Sequence, residues 1–279
     1  MSTTNPLPSS TALAEQSSVT IIGHSPLFYW WPVWAVGFLM AFLTYLGGNY
    51  MAVVPAGTVA EKARQVQGVD GPRDVLILPA GKELAIDETA GEPEQPRLRV
   101  AQSNSLGSVF VSVLLLVILI TNVRLSGVWS LVLIMLILLL SVIFAVVGIW
   151  DKVFRLVGSS DVHITAAGYL CVAVPMFVIW LAVILFYDRL TYATFRPGQF
   201  TIHYAFGMGA TSYDVLGMIL EKKRDDLFRH WLLGLGSGDL VIRTGGANPQ
   251  TYELPNVLFV GSKLAMAQRM LQERQVVMG

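Results

Sequence analysis

The side chains that could do chemistry in this chain fall into a few short runs. Gly234-Leu235-Gly236-Ser237-Gly238 has the spacing of a phosphate-cradling loop. A dinucleotide fingerprint needs a third glycine at its sixth position, opening a helix whose amides meet the pyrophosphate. Asp239 stands there, followed by the strand-like Leu240 to Arg243, so the run reads as a tight turn. Lys222-Lys223-Arg224, helped by Arg229 and His230, could meet anionic lipid headgroups; each base near such a surface contributes about 1 kcal/mol. Asp225-Asp226 offsets part of that charge, and a solvated loop with local ion pairs is the alternative. Adjacent aspartates rarely converge on one metal, and nothing nearby completes a set. His24, His163, His203 and His230 lack ligand spacing, and Asp161 with His163 reads as a surface turn. Cys171, the single cysteine, can form no internal disulfide and lies in an apolar run, where a thiol behaves as a small hydrophobe. The chain carries neither a P-loop nor a G-x-S-x-G element. The expectation is no catalytic, cofactor-binding or metal-ligating set, with Lys222, Lys223, Arg224 and Arg229 as lipid or partner contacts.

Composition decides what must position these residues. Of 279 residues, 54% are apolar or aromatic and 14% charged, against roughly 25% charged in a soluble domain, and the mean hydropathy is +0.59. Nineteen basic and nineteen acidic residues cancel, so no global field favours nucleic acid. Apolar segments run over about 27–46, 107–123, 127–149 and 166–186. Crossing about 30 Å of hydrocarbon takes about 20 residues at 1.5 Å each, which predicts four transmembrane helices. Trp30, Trp31 and Trp34 open the first as an interfacial belt. Arg124-Leu125-Ser126 alone separates the second from the third, so these form an antiparallel hairpin. Pro175 predicts a kink in the fourth. Ser112, Thr121, Asn122, Ser130 and Ser141 are expected to hydrogen-bond between helices. The second and third segments carry no ionisable residue, which weakens a transporter reading.

The remaining regions read as follows. Residues 1–26 are a polar tail. The 47–106 loop holds a strand at Val75–Leu78 with a turn at Pro79–Lys82, alternation around Leu84, Ile86, Leu98 and Val100, an exposed stretch at 88–96, and, at 58–67, a continuation of the first helix. Residues 188–279 suffice for a small domain. Phe200, Ile202, Tyr204 and Phe206 alternate as a strand after the Pro197-Gly198 turn. Further strands are expected at Tyr213–Leu220, Asp239–Arg243, Thr251–Leu254 and Asn256–Val260. Ser262 then caps a helix to about Gln275 with Leu264, Ala267, Met270 and Leu271 on one face.

Two motifs in this last region, Arg196-Pro-Gly-Gln-Phe-Thr-Ile-His203 and Leu232-Leu-Gly-Leu-Gly-Ser-Gly-Asp-Leu-Val-Ile-Arg-Thr-Gly-Gly246, resemble the bacterial pleckstrin-homology-like domain found after transmembrane helices in many membrane proteins. The resemblance covers about residues 189–275. It implies an α+β fold, a bent antiparallel sheet capped by a C-terminal helix, and a binding or assembly role without catalysis. Eukaryotic relatives bind phosphoinositides through several basic residues near the first hairpin, where this chain has Arg189, Arg196 and His203. The reading is a non-enzymatic multi-pass protein of the cell (inner) membrane, whose C-terminal domain contacts a protein partner or another copy. The alternatives are an anionic-lipid-binding surface protein and a channel or transporter subunit. Positive charge near the segment ends favours a cytoplasmic 47–106 loop; the resemblance favours a cytoplasmic C-terminal domain, and that orientation is the one adopted.

Overall fold

The computed structural model describes residues 18–277 except 67, 69, 85–95, 104, 124–126, 161, 205–208, 224, 225 and 247. Four stretches are long and apolar enough to cross a membrane: Pro26–Leu46, Ser105–Asn122, Val128–Val147 and Ala166–Leu190. Within them lie α1 (Trp31–Leu46), α2 (Ser105–Asn122), α3 (Val128–Val147) and α5 (Ala166–Ala182). Between α3 and α5 runs α4 (Ile149–Gly158), a short helix the segment count did not foresee. Its Ile149, Trp150, Val153, Phe154 and Val157 share one face, with Asp151, Lys152 and Arg155 opposite. The expected connection Arg124-Leu125-Ser126 lies outside the described residues.

Helices α1, α2 and α5 pack together. A side-chain carbon on Gly37 of α1 would come within 2.8 Å of the Ala173 Cβ of α5. Small residues on both helices therefore allow the close approach. Helix α3 packs chiefly on α4: Trp150 donates to the Ser141 carbonyl at 3.0 Å and its ring meets Phe144. Ser108 of α2 ties the far end of α4 by donating to the Val157 carbonyl at 3.2 Å. The hydroxyls expected to bridge helices mostly do not. Ser112, Thr121 and Asn122 each donate to a carbonyl one turn back on their own helix, the local bond available to short polar side chains. Helix α5 includes Pro175 and is followed by a π-helical turn at Val183–Tyr187.

The polar tail is shorter than expected, because Val19–Ile22 is a strand, β1. In the 47–106 loop, β2 (Tyr50–Met51) pairs with β5 (Leu98–Arg99), and β3 (Val59–Arg64) with β4 (Arg73–Ile77). Residues 59–64 thus form a hairpin strand and do not prolong α1. Lys82 donates to the Pro79 carbonyl at 3.1 Å, closing the predicted turn. Ile86 and residues 88–95 lie outside the described residues.

Beyond α5 come β6 (Tyr192–Arg196), β7 (Gln199–His203), β8 (Ala210–Asp214), β9 (Ile219–Lys223), β10 (Gly238–Arg243), β11 (Thr251–Val257) and helix α6 (Val260–Val277). The strand expected over Tyr213–Leu220 divides in two, because the chain turns at Val215–Met218, where Met218 donates to the Val215 carbonyl. Asn256 and Val257 belong to β11 and not to a fifth strand. Helix α6 starts two residues before Ser262, and Leu271 lies outside the described side chains. Phe206 lies outside the described residues.

The strands form two antiparallel sheets, β1-β6-β7-β8 and β11-β10-β9. Ile21, Phe195, Phe200, Leu240, Ile242, Val257 and Ala267 make one core between the sheets and α6. Strand β1, from before the first apolar helix, pairs along β6, from after the last, with Val19 opposite Phe195 and Ile22 opposite Tyr192. The sandwich is therefore discontinuous in sequence, and the helices are an insertion between its first two strands.

The Gly37–Ala173 contact makes a direct test. Gly37→Val should lower the thermal midpoint in detergent by the equivalent of about 1–3 kcal/mol, the usual cost of overpacking. Adding Ala173→Gly should restore part of the loss, whereas Val alone without effect would mean that α1 and α5 separate in solution.

Candidate functional site

The sandwich meets the helices at one buried joint. Phe28 and Tyr29 precede α1, Ile120 lies near the end of α2, and Ile184 lies in the π-helical turn after α5. These close against Phe228, Leu233 and Leu258 of the sandwich. Trp31 donates to the Leu233 carbonyl at 2.9 Å, and Trp180 to the Phe28 carbonyl at 3.1 Å. Apolar burial sets the contact, and the indole bonds fix its register.

A polar network runs through this joint, centred on the Tyr29 hydroxyl. That hydroxyl donates to Asn256 Oδ1 at 2.5 Å and lies 3.2 Å from His230 Nδ1 and 3.4 Å from Ser237 Oγ. The Tyr29 proton is committed to Asn256, so the ring N–H of His230 is the donor toward the phenol oxygen. The other ring nitrogen, Nε2, lies 3.6 Å from Asp239 Oδ2. Asn256 works in both directions: its side-chain amide donates to the His24 carbonyl at 2.8 Å, and its backbone N–H to Asp239 Oδ1 at 2.8 Å. It does so from a left-handed backbone, φ 54°, which asparagine tolerates better than most residues.

The same joint carries a second tie. Asp188, at the end of the last apolar stretch, accepts from His24 Nδ1 at 3.0 Å and from the Ser25 backbone N–H at 3.1 Å. His24 in turn donates its backbone N–H to the Pro255 carbonyl. The start of the first apolar stretch, the end of the last and strand β11 are thereby bound to one another.

At the joint, glycine is required for space at position 234. A side-chain carbon on Gly234 would fall 2.2 Å from Ser237 Oγ, 2.7 Å from the Arg229 carbonyl and 2.9 Å from the Tyr29 ring. The Gly234–Gly238 run is indeed a turn, here the one that seats Tyr29. Leu235 and Gly236 both have positive φ within it.

Of the proposed lipid or partner contacts, Lys222 and Lys223 lie on β9, paired across from Leu240 and Asp239. Arg224, with Asp225, lies outside the described residues. Arg229 needs correction. It is buried, its guanidinium 5.2 Å from the Tyr29 ring centre and its Nε 4.0 Å from Asp226 Oδ2. Asp226 also caps the turn by accepting the Arg229 backbone N–H. The base that seemed available to a headgroup is spent inside the joint.

Burial works against ionisation of Asp239. The His230 contact, the Asn256 N–H and the Arg229 charge outweigh it and hold the carboxyl below the ordinary aspartate value. Ser237, His230 and Asp239 stand in a row that has the members of an acyl-transfer triad, but the ring is turned, with Nδ1 toward serine and Nε2 toward aspartate. Ser237 is also closed off from solvent. The row links the turn over 230–237 to strand β10 around the Tyr29 hydroxyl. Among the described residues no three His, Cys, Asp or Glu side chains group as a metal site.

Sequence reasoning missed Tyr29, Asn256, Ser237 and Asp188, whose partners lie up to 232 residues away. The one local signal was Gly234-Leu-Gly-Ser-Gly238, read as a turn without the ring it accommodates. Comparison of the chain with protein-family models, curated proteins and solved structures gives no match in any of the three.

Two outcomes follow from the network. Tyr29→Phe strips Asn256 Oδ1 of its donor in a buried site and should cost about 1–3 kcal/mol, read as a lower thermal midpoint. Asp239 has a depressed native pKa, so its contribution is fully present above the unfolded value and is lost as pH falls through the native one. Unfolding midpoints followed from pH 7 to pH 3 should drop, and Asp239→Asn should flatten that drop while lowering the pH 7 value.

Proposed function

We propose that this chain is a non-enzymatic, four-span integral membrane protein whose pleckstrin-homology-like sandwich is a fixed platform for a protein partner or a second copy. The observation that carries this reading is the clasped joint. A domain pinned to the helices at Tyr29, His24 and Asp188 is held in one orientation to the bilayer. Catalysis is disfavoured by the enclosure of Ser237.

Strand β8 is the contact edge this reading favours. Among the described residues it ends its sheet, bonded to β7, and Ala210, Thr211, Ser212 and Asp214 are exposed. An unpaired edge can accept an added strand through main-chain hydrogen bonds. Pairing of β1 with β6 supports both chain ends lying on one side, as an even number of spans requires. The cytoplasm is the side we assign to the sandwich.

Single cysteines at Ser212 and, separately, Gly81, both in a Cys171→Ala chain, test the reading. In intact cells an impermeant thiol reagent should label Gly81→Cys, with Ser212→Cys reacting only after permeabilisation. A photoactivatable thiol crosslinker at Ser212 should then give a discrete adduct, absent in Thr211→Pro. Equal labelling of both sites in intact cells would sink the four-span arrangement, and an adduct indifferent to Thr211→Pro would sink the strand-addition platform.

A further inference from the structure

Large apolar side chains stand exposed beside the joint, on turns whose inner faces it buries. In the turn over 227–235, Phe228, Arg229 and Leu233 point into the joint. Four residues apart on the other side, Trp231 is 77% exposed and Leu235 67%, with Leu227 and Leu232 also open. In the turn ahead of α6, Leu258 packs into the same joint while the next residue, Phe259, is 69% exposed. Scattered exposed leucines are ordinary, but a group of large apolar residues at one end of a domain marks a contact surface.

Backbone conformation singles out two of them independently. Leu235 has φ 50° and Phe259 φ 52°, the left-handed region that bulky residues avoid and glycine adopts freely. Such conformations persist where something other than local preference selects the residue. Here a leucine and a phenylalanine occupy turn tips that glycine would fill without strain, and both project outward.

The level of the joint identifies what covers them. Ile120 lies two residues from the end of α2, and Tyr29 and Ile184 lie in the first and last apolar stretches. Counting about 20 residues, the reach across about 30 Å of hydrocarbon, from Ser105 ends just past Asn122, and from Ala166 near Phe186. Turns packed on Ile120 and Ile184 therefore stand level with the edge of the hydrocarbon, where tryptophan is favoured at membrane surfaces.

We propose that Trp231, Leu235 and Phe259 form a wedge that seats the sandwich in the lipid leaflet on its own side of the membrane. This rests on the four-span reading and extends it. The occupant is phospholipid, because the turns that carry the patch pack against the ends of the apolar stretches, level with the edge of the hydrocarbon. The wedge fixes the height of the sandwich, as the Tyr29 network fixes its rotation. It leaves β8 facing away from the joint, bonded on the far side of β7 from β6 and β1.

The full Cys171→Ala chain in phosphatidylcholine–phosphatidylglycerol vesicles, spin-labelled at single cysteines, provides the test. Collisional access to oxygen against a water-soluble nickel chelate reports depth. Labels at Trp231, Leu235 and Phe259 should favour oxygen several-fold more than a label at Leu216, equally exposed on the β8–β9 turn. A label at Leu138 of α3 reports on the membrane reading by itself. If Leu138 favours oxygen while 231, 235 and 259 match Leu216, the wedge is overturned and the spans stand. If Leu138 favours the nickel reagent, the membrane reading and the wedge fall together. Low access to both reagents at 231 and 259 would mean that protein covers the patch, which overturns lipid as the occupant. Leu235→Gly, which suits its backbone, should keep the fold and shift the 259 label toward nickel; unchanged access would count against the wedge.

Discussion

One proton holds this architecture in register. The Tyr29 hydroxyl has a single hydrogen to give and gives it to Asn256, so every other group around it must adapt. His230 meets it through Nδ1, Ser237 stands at the edge of reach, and Asp239 faces the other nitrogen of the ring. Buried networks of this kind stabilise only when every member is satisfied. The geometry is met by residues from before the first helix, from the turn 226–237 and from strands β10 and β11. The sandwich and the helices consequently behave as one body at this point, despite lying in different solvents in the proposed reading.

The helices are held by two different devices. Helices α1 and α5 meet through small residues, with Gly37 against Ala173, so their backbones approach closely. Helix α3 is instead held at arm's length through α4, by the Trp150–Ser141 bond at one end and the Ser108–Val157 bond at the other. The amphipathic character of α4 suits such a strut, since its apolar face can rest on the helices while Lys152 and Arg155 face outward. The apolar surface of α3 is left largely open.

Long apolar runs and strand alternation were readable because they are local. The segments at 107–123 and 127–149 match α2 and α3 closely, and Asp239–Arg243 matches β10, because hydropathy and period 2 need no distant information. The strand at Val19–Ile22 was not readable. Four residues flanked by polar sequence carry no pattern of their own, and burial of Ile21 depends on a partner strand more than 170 residues away. The amphipathic α4 was absorbed into the gap between spans, because ten residues of mixed character fall below a span-length window. Arg229 misled for a physical reason: a base in a charged run reads as solvated, yet a guanidinium can be buried when a tyrosine face and a carboxylate surround it. The joint itself is a product of topology, and no spacing rule connects Tyr29 to His230 or Asn256.

The pairing of β1 with β6 sets the order of events in biosynthesis. Strand β1 emerges from the ribosome first, yet β6 does not exist until all four apolar stretches have been made. Throughout that interval an unpaired strand waits on the sandwich side, and the loop it must close spans the whole helical region, a slow and entropically costly closure. A nascent chain arrested anywhere before Tyr192 would keep that strand edge exposed. Completion of the sandwich therefore requires that all four apolar stretches have been synthesised and that the two ends of the insertion have come together.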